Sequence, residues 1–180
     1  MTYYYFAATL PSLRMDDPPP IPMGSFLASC RQHLSGRDLA ALDRLLSDPF
    51  DADSTDAYVY AWVNLVRQVR NAVARHRASR LQRDPAPYFR AHEGLDVSVE
   101  TAVAEAFQKP SPLDREHALD ALLWERAGEL AGCDPFSRDA VLAYALRLRI
   151  AERWSALKDE TGMSNVRTRA TARPAGASGA

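Results

Sequence analysis

The chain has 180 residues, 47% of them hydrophobic and 25% charged, with a formal net charge of −1. Those proportions exclude wholesale disorder, and the balanced charge excludes a global field that would draw the chain to nucleic acid or lipid. Charge is uneven along the chain: residues 54–92 hold seven arginines against two aspartates, and the flanking segments each sum to −3.

Residues 1–24 read as an extended N-terminal arm. Tyr3, Tyr4, Tyr5 and Phe6 open an aromatic stretch that suits a strand or an extended segment. Four consecutive aromatics in an extended chain cannot all face one core, so half of them are free for a partner unless the segment is sandwiched. Asp16, Asp17, Pro18, Pro19 and Pro20 follow, and consecutive prolines predict polyproline II. From residue 25 to 162 the signals are helical. Ser25 is placed to cap a short helix ending near Leu34. Ser35 caps a second, with Asp38 in a weak capping box, and Leu39, Leu42, Leu45 and Leu46 keep helical spacing. Asp48-Pro49-Phe50-Asp51 ends it.

The longest helix is expected from near Thr55 to about Leu81, because Val59, Trp62, Val66, Val69 and Val73 alternate at spacings of three and four. A loop carries Pro85 and Pro87. Asp96 caps a helix over 97–108. Ser111-Pro112 opens the next, and Gly132 stops it. Asp134-Pro135 is read as the start of the last helix, through Val141, Leu148, Trp154 and Leu157. Residues 163–180 are small, polar and basic and are expected to be a disordered tail. The result is an all-α, irregular helical bundle with an extended arm.

Motifs for phosphate loops, dinucleotide binding, nucleophile elbows, zinc helices and Cys-x-x-Cys are absent. His33, His76, His92 and His117 do not fall at ligand spacing. No catalytic, cofactor-binding or metal-binding residue is assigned, and the chain is expected not to be an enzyme. An acid–base role for His92 or Glu93 is the enzymatic alternative. Cys30 and Cys133 are expected to be reduced, Cys30 within the core. The longest internal apolar run, 57–66, is broken only by Asn64 and falls short of the roughly 20 residues that span a bilayer. The expected location is cytoplasmic, free or at the inner face of the cell membrane within a complex.

Arg67, Arg70 and Arg77 share one side of the long helix. Three readings fit them: a solvated face, a docking surface for an acidic protein, or a weak nucleic-acid site across Arg67–Arg83. The third lacks aromatics interleaved to stack bases. The candidate partner interface is therefore Tyr3 to Phe6, Asp16 to Pro20, and Arg67, Arg70 and Arg77.

Several stretches carry a resemblance. Tyr4-Tyr5-Phe6 with Leu10-Pro11, Asp17-Pro18-Pro19-Pro20-Ile21, Phe26-Leu27 and Cys30 resemble the opening of a bacterial family of uncharacterised function. The likeness continues through Gly94-Leu95-Asp96-Val97, the run 102–107, Asp134-Pro135-Phe136, Val141-Leu142-Ala143-Tyr144 and Glu152-Arg153-Trp154. Genes of that family lie among those for V-type ATPase (A/V-type ATP synthase) subunits. The resemblance implies a non-catalytic subunit or assembly protein acting through contacts with V-type ATPase subunits, some members being described as like the all-helical C (d) subunit between stalk and rotor ring. It transfers no binding residue. A stand-alone helical binding or regulatory module is the other reading.

Overall fold

A computed structural model describes residues 3–47 and 54–158. Among these residues there are seven α-helices and no strand: α1 (Tyr4–Thr9), α2 (Met23–His33), α3 (Gly36–Leu46), α4 (Ala57–Leu81), α5 (Val97–Gln108), α6 (Pro112–Ala131) and α7 (Arg138–Lys158). The expected breaker at 48–51 and tail at 163–180 lie outside the described residues.

The boundaries follow local chemistry. Asp96 accepts from Ser98 N to cap α5, and Ser111 accepts from Leu113 N ahead of Pro112, which needs no partner at the first helical position. Gly132, at φ 76°, ends α6 in a conformation that side-chain-bearing residues rarely adopt. Asp56 caps α4 through Val59 N, close to the expected start near Thr55.

Three expectations need correction. The aromatic opening is not extended: residues 4–9 are helical, and Tyr3, Phe6, Ala7 and Leu10 all turn inward. Their spacing of three, one and three is that of one helix face. The helix expected from Ser25 starts at Met23, whose N–H donates to Glu152 Oε1 at 2.6 Å, so a carboxylate from α7 does the capping. The last helix starts at Arg138, not at Asp134-Pro135. Asp134 instead forms a turn, accepting from Phe136 N at 2.9 Å, and Ser137 Oγ accepts from Ala140 N at 3.0 Å.

Helix α4 is the spine. Its first half sets Tyr58, Val59, Trp62, Val63 and Val66 against α2, α3 and α7, around Phe26, Leu42 and Leu142. Its second half sets Val69 and Ala72 against Val99 and Val103 of α5 and Leu119 and Leu122 of α6. Leu65 and Leu123 pack against both clusters and make the core continuous. The N-terminal segment belongs to that core, since Phe6 is only 4% exposed and Leu10, Leu13 and Ile21 lie against the first cluster. Cys30 and Cys133 are free thiols, and burial pushes Cys30 up to about 12.

The N-termini of α3, α4 and α7 converge on Arg138. Its Nε stands 2.6 Å from Asp38 Oδ1, an ion pair off the hydrogen-bond axis, its Nη2 donates to Asp56, and its Nη1 to Asp139 at 2.9 Å. Tyr3 donates its hydroxyl proton to Asp38 Oδ2 and accepts from Ser35 N at 3.0 Å, while Tyr3 N donates to Phe136 O at 2.9 Å. Burial raises Asp38's pKa, but Tyr3, Ser35 and Arg138 outweigh it and hold the carboxyl below the ordinary aspartate value. Its contribution to stability is thus present above the unfolded value of about 3.9 and is lost as pH falls through the lower folded value. Asp38→Asn is expected to destabilise by about 3 kcal/mol at pH 7. The deficit should shrink well below pH 4, as followed by urea denaturation at both pH values. An equal deficit at both would contradict this assignment.

Candidate functional site

One face of α4 is polar although buried. Asn64, Gln68 and Asn71, at spacings of four and three, are each no more than 9% exposed. They fasten the backbone of the loop that follows the helix. Asn71 Nδ2 donates to Arg90 O at 2.8 Å, and its Oδ1 accepts from Arg90 N at 2.9 Å. Asn64 Oδ1 accepts from Glu93 N at 2.9 Å. Gln68 donates to Asp96 O at 2.8 Å and accepts from Asp96 N at 3.2 Å. These paired amide bonds hold residues 90–96 along α4 and present the cap of α5. Sequence reasoning missed them, noting only that Asn64 interrupts an apolar run. Their helical spacing was the available signal.

The adjoining faces carry the arginines, and α4 contains no acidic residue. Several arginines serve structure. Arg75 pairs with Glu100, and Arg80 donates to Phe107 O at 3.0 Å with its guanidinium 5.6 Å from that ring's centre. Arg67 donates to Ala91 O at 3.4 Å, and Arg77 meets Glu116 at 3.4 Å with both side chains well exposed. Such an exposed pair stabilises little. Past it, a groove of about 440 Å³ runs along the end of α4, lined by Val73, Leu81 and Tyr88 together with Arg70, Arg77 and Arg83. Leu81 is 67% exposed and Tyr88 65%.

The N-terminal candidates divide. Tyr3 and Phe6 are built into the fold and cannot serve as a free interface. Tyr5, 87% exposed, points outward, and so does Tyr4, whose ring centre lies 4.3 Å from that of Phe136. Asp16 is held by His117 Nε2 at 2.9 Å and by Lys158 Nζ at 3.3 Å, and Asp17 pairs with Arg14. Pro18 and Pro20 are exposed and Pro19 is half-buried. The segment therefore straps across α6 and α7.

His92 is half-buried and its Nδ1 has no partner among the described residues, while a hydrogen bond to Glu93 pushes Tyr60's pKa up. Among the described residues no three His, Cys, Asp or Glu side chains gather closely enough to hold a metal. No helix among them is long and apolar enough to cross a membrane.

Residues 100–169 match the model of a family described as a protein of unknown function (DUF2764). No curated protein and no solved structure matches the chain.

Replacing Asn71 by Ala removes both hydrogen bonds to the Arg90 backbone, at about 0.5–1.5 kcal/mol each. Hydrogen exchange should then quicken at Arg90, Glu93 and Asp96 ahead of the α7 amides. Equal acceleration everywhere would show that the ladder is not what holds the loop.

Proposed function

We propose that this chain is a non-catalytic, protein-binding component of a bacterial V-type ATPase, either a subunit or an assembly protein. The groove at the end of α4 carries the binding part of this reading. A lining of Val73, Leu81 and Tyr88 with Arg77 and Arg83 beside them suits an amphipathic helix with acidic residues along its edges, which buries its apolar side and aligns its carboxylates with the guanidiniums. The ATPase as partner is supported by the likeness of the stretches 17–21, 102–107, 134–136, 141–144 and 152–154 to the ATPase-linked family. Most of these fall within residues 100–169, which match the family model. A role like that of the C (d) subunit, joining stalk to rotor, is the finer form of the proposal and agrees with an all-helical fold. A cytoplasmic location beside the membrane goes with it.

Tagged chain is expected to co-purify with ATPase subunits. Arg77→Glu with Arg83→Glu should weaken capture by about tenfold or more, since two attractions become repulsions. The melting temperature should stay nearly constant, because the one ion pair lost is exposed. Absence of ATPase subunits from the wild-type eluate would sink the ATPase assignment. Undiminished capture by the double variant would sink the groove.

A further inference from the structure

A cavity of about 240 Å³ lies beneath the N-terminal strap, between residues 7–13 and helices α6 and α7. Leu10, Leu13, Trp124, Val141, Tyr144 and Arg147 are among its walls. We infer that this cavity binds a small monocarboxylate with a short apolar tail, its carboxylate on Arg147 and its tail against Leu10, Leu13 and Val141.

Three observations carry the assignment. The first is Arg147. Its Nε donates to Trp124 O at 3.0 Å, and its guanidinium lies 5.4 Å from the centre of the Trp124 ring. It forms no ion pair among the described residues, and no acidic residue lines the cavity. Asp139 is felt in the same region: burial raises the pKa of Tyr58, Asp139 adds to the rise and Arg147 opposes it. Asp139 is tied to Arg138 at 2.9 Å, however, and does not pair with Arg147. The guanidinium is also seated against Gly128 of α6, where a Cβ would collide with Nη2. A held cationic fork is thus left for an acceptor from outside the chain, and a carboxylate matches it with two parallel hydrogen bonds.

The second observation is Tyr144. It lines the cavity, yet its buried hydroxyl has no hydrogen-bond partner among the described residues. A buried phenol usually finds one, and a carboxylate oxygen is an acceptor for it. The third is the cavity's size and lining. Its volume falls below the roughly 300–1,000 Å³ of drug-sized sites, so the ligand is small. Arg147 is the one charged residue in the lining, which suits a single negative charge, and the apolar walls suit a hydrocarbon tail.

The test is calorimetric titration and thermal unfolding of the full chain with sodium hexanoate, against sodium chloride and sodium acetate at equal ionic strength and against hexanol. Acetate keeps the charge without the tail, and hexanol keeps the tail without the charge. Hexanoate should raise the melting temperature saturably beyond all three, and hydrogen exchange should slow at Leu10, Ser12 and Leu13. Arg147→Met, which keeps packing over Trp124 without the charge, should weaken binding by about tenfold or more. Where that variant does not fold, Gly128→Ala decides, since it pushes the guanidinium aside without removing it and favours the helix. It too should weaken binding. The inference is overturned if hexanoate does not bind, if acetate or hexanol stabilises as well, or if the deciding variant binds like the wild type. Slower exchange elsewhere with none at residues 10–13 would also overturn it.

Discussion

The fold depends on one guanidinium. Helices α3, α4 and α7 bring their positive ends to a common point, and each supplies a carboxylate there: Asp38 in the first turn of α3, Asp56 at the cap of α4 and Asp139 in the first turn of α7. Each carboxylate suits its own helix dipole, but three together repel. The cost is visible at Asp139, whose pKa is raised by burial and by Asp56, although Arg138 opposes both. Arg138 makes the convergence tolerable, and the Tyr3 hydroxyl ties the chain's beginning to the same point. A point charge such as lysine could not serve three separated carboxylates with a fixed planar fork.

From that node the remaining architecture follows. With its start fixed, α4 runs 25 residues and packs against two successive sets of helices. Its apolar stripe makes the core, its amide stripe holds the returning loop, and its arginine edge faces solvent. The arginines cannot turn inward without unpaired charge. The loop covers the polar stripe and the outer helices cover the apolar one, so the arginine edge is the side left for a partner.

Much of this was legible in the chain. The helices from Asp96 and Ser111 were marked by their caps and α4 by its spacings of three and four, signals local to the sequence, while the cap of α4 at Asp56 was not read. The misreadings came where tertiary contacts decide. Tyr4–Thr9 is rich in aromatics and reads as strand, yet Tyr3 and Phe6 have inward anchorage that only a helical turn provides. Met23 starts its helix on a carboxylate 129 residues away. Asp134-Pro135 looks like a helix start, but Ser137 offers a better cap three residues on. The amide ladder was visible as Asn64, Gln68 and Asn71, but its partners were not, because it binds backbone, which has no sequence signature. The arginine edge was legible as a cluster of Arg67, Arg70 and Arg77, but the groove joins Arg83, not Arg67, to Arg70 and Arg77; that regrouping, and which arginines are committed to Glu100, Phe107 and Ala91, could come only from the packing.

The central claim is that the working surface lies at the end of α4 and that the N-terminal aromatics serve mainly to strap the fold. Photo-cross-linking compares the two places directly, with a photoreactive residue at Leu81 in one protein and at Tyr5 in another, each incubated with the assembled V-type ATPase. The account predicts a specific cross-link from Leu81 to an ATPase subunit and little from Tyr5. A cross-link from Tyr5 with none from Leu81 would contradict it.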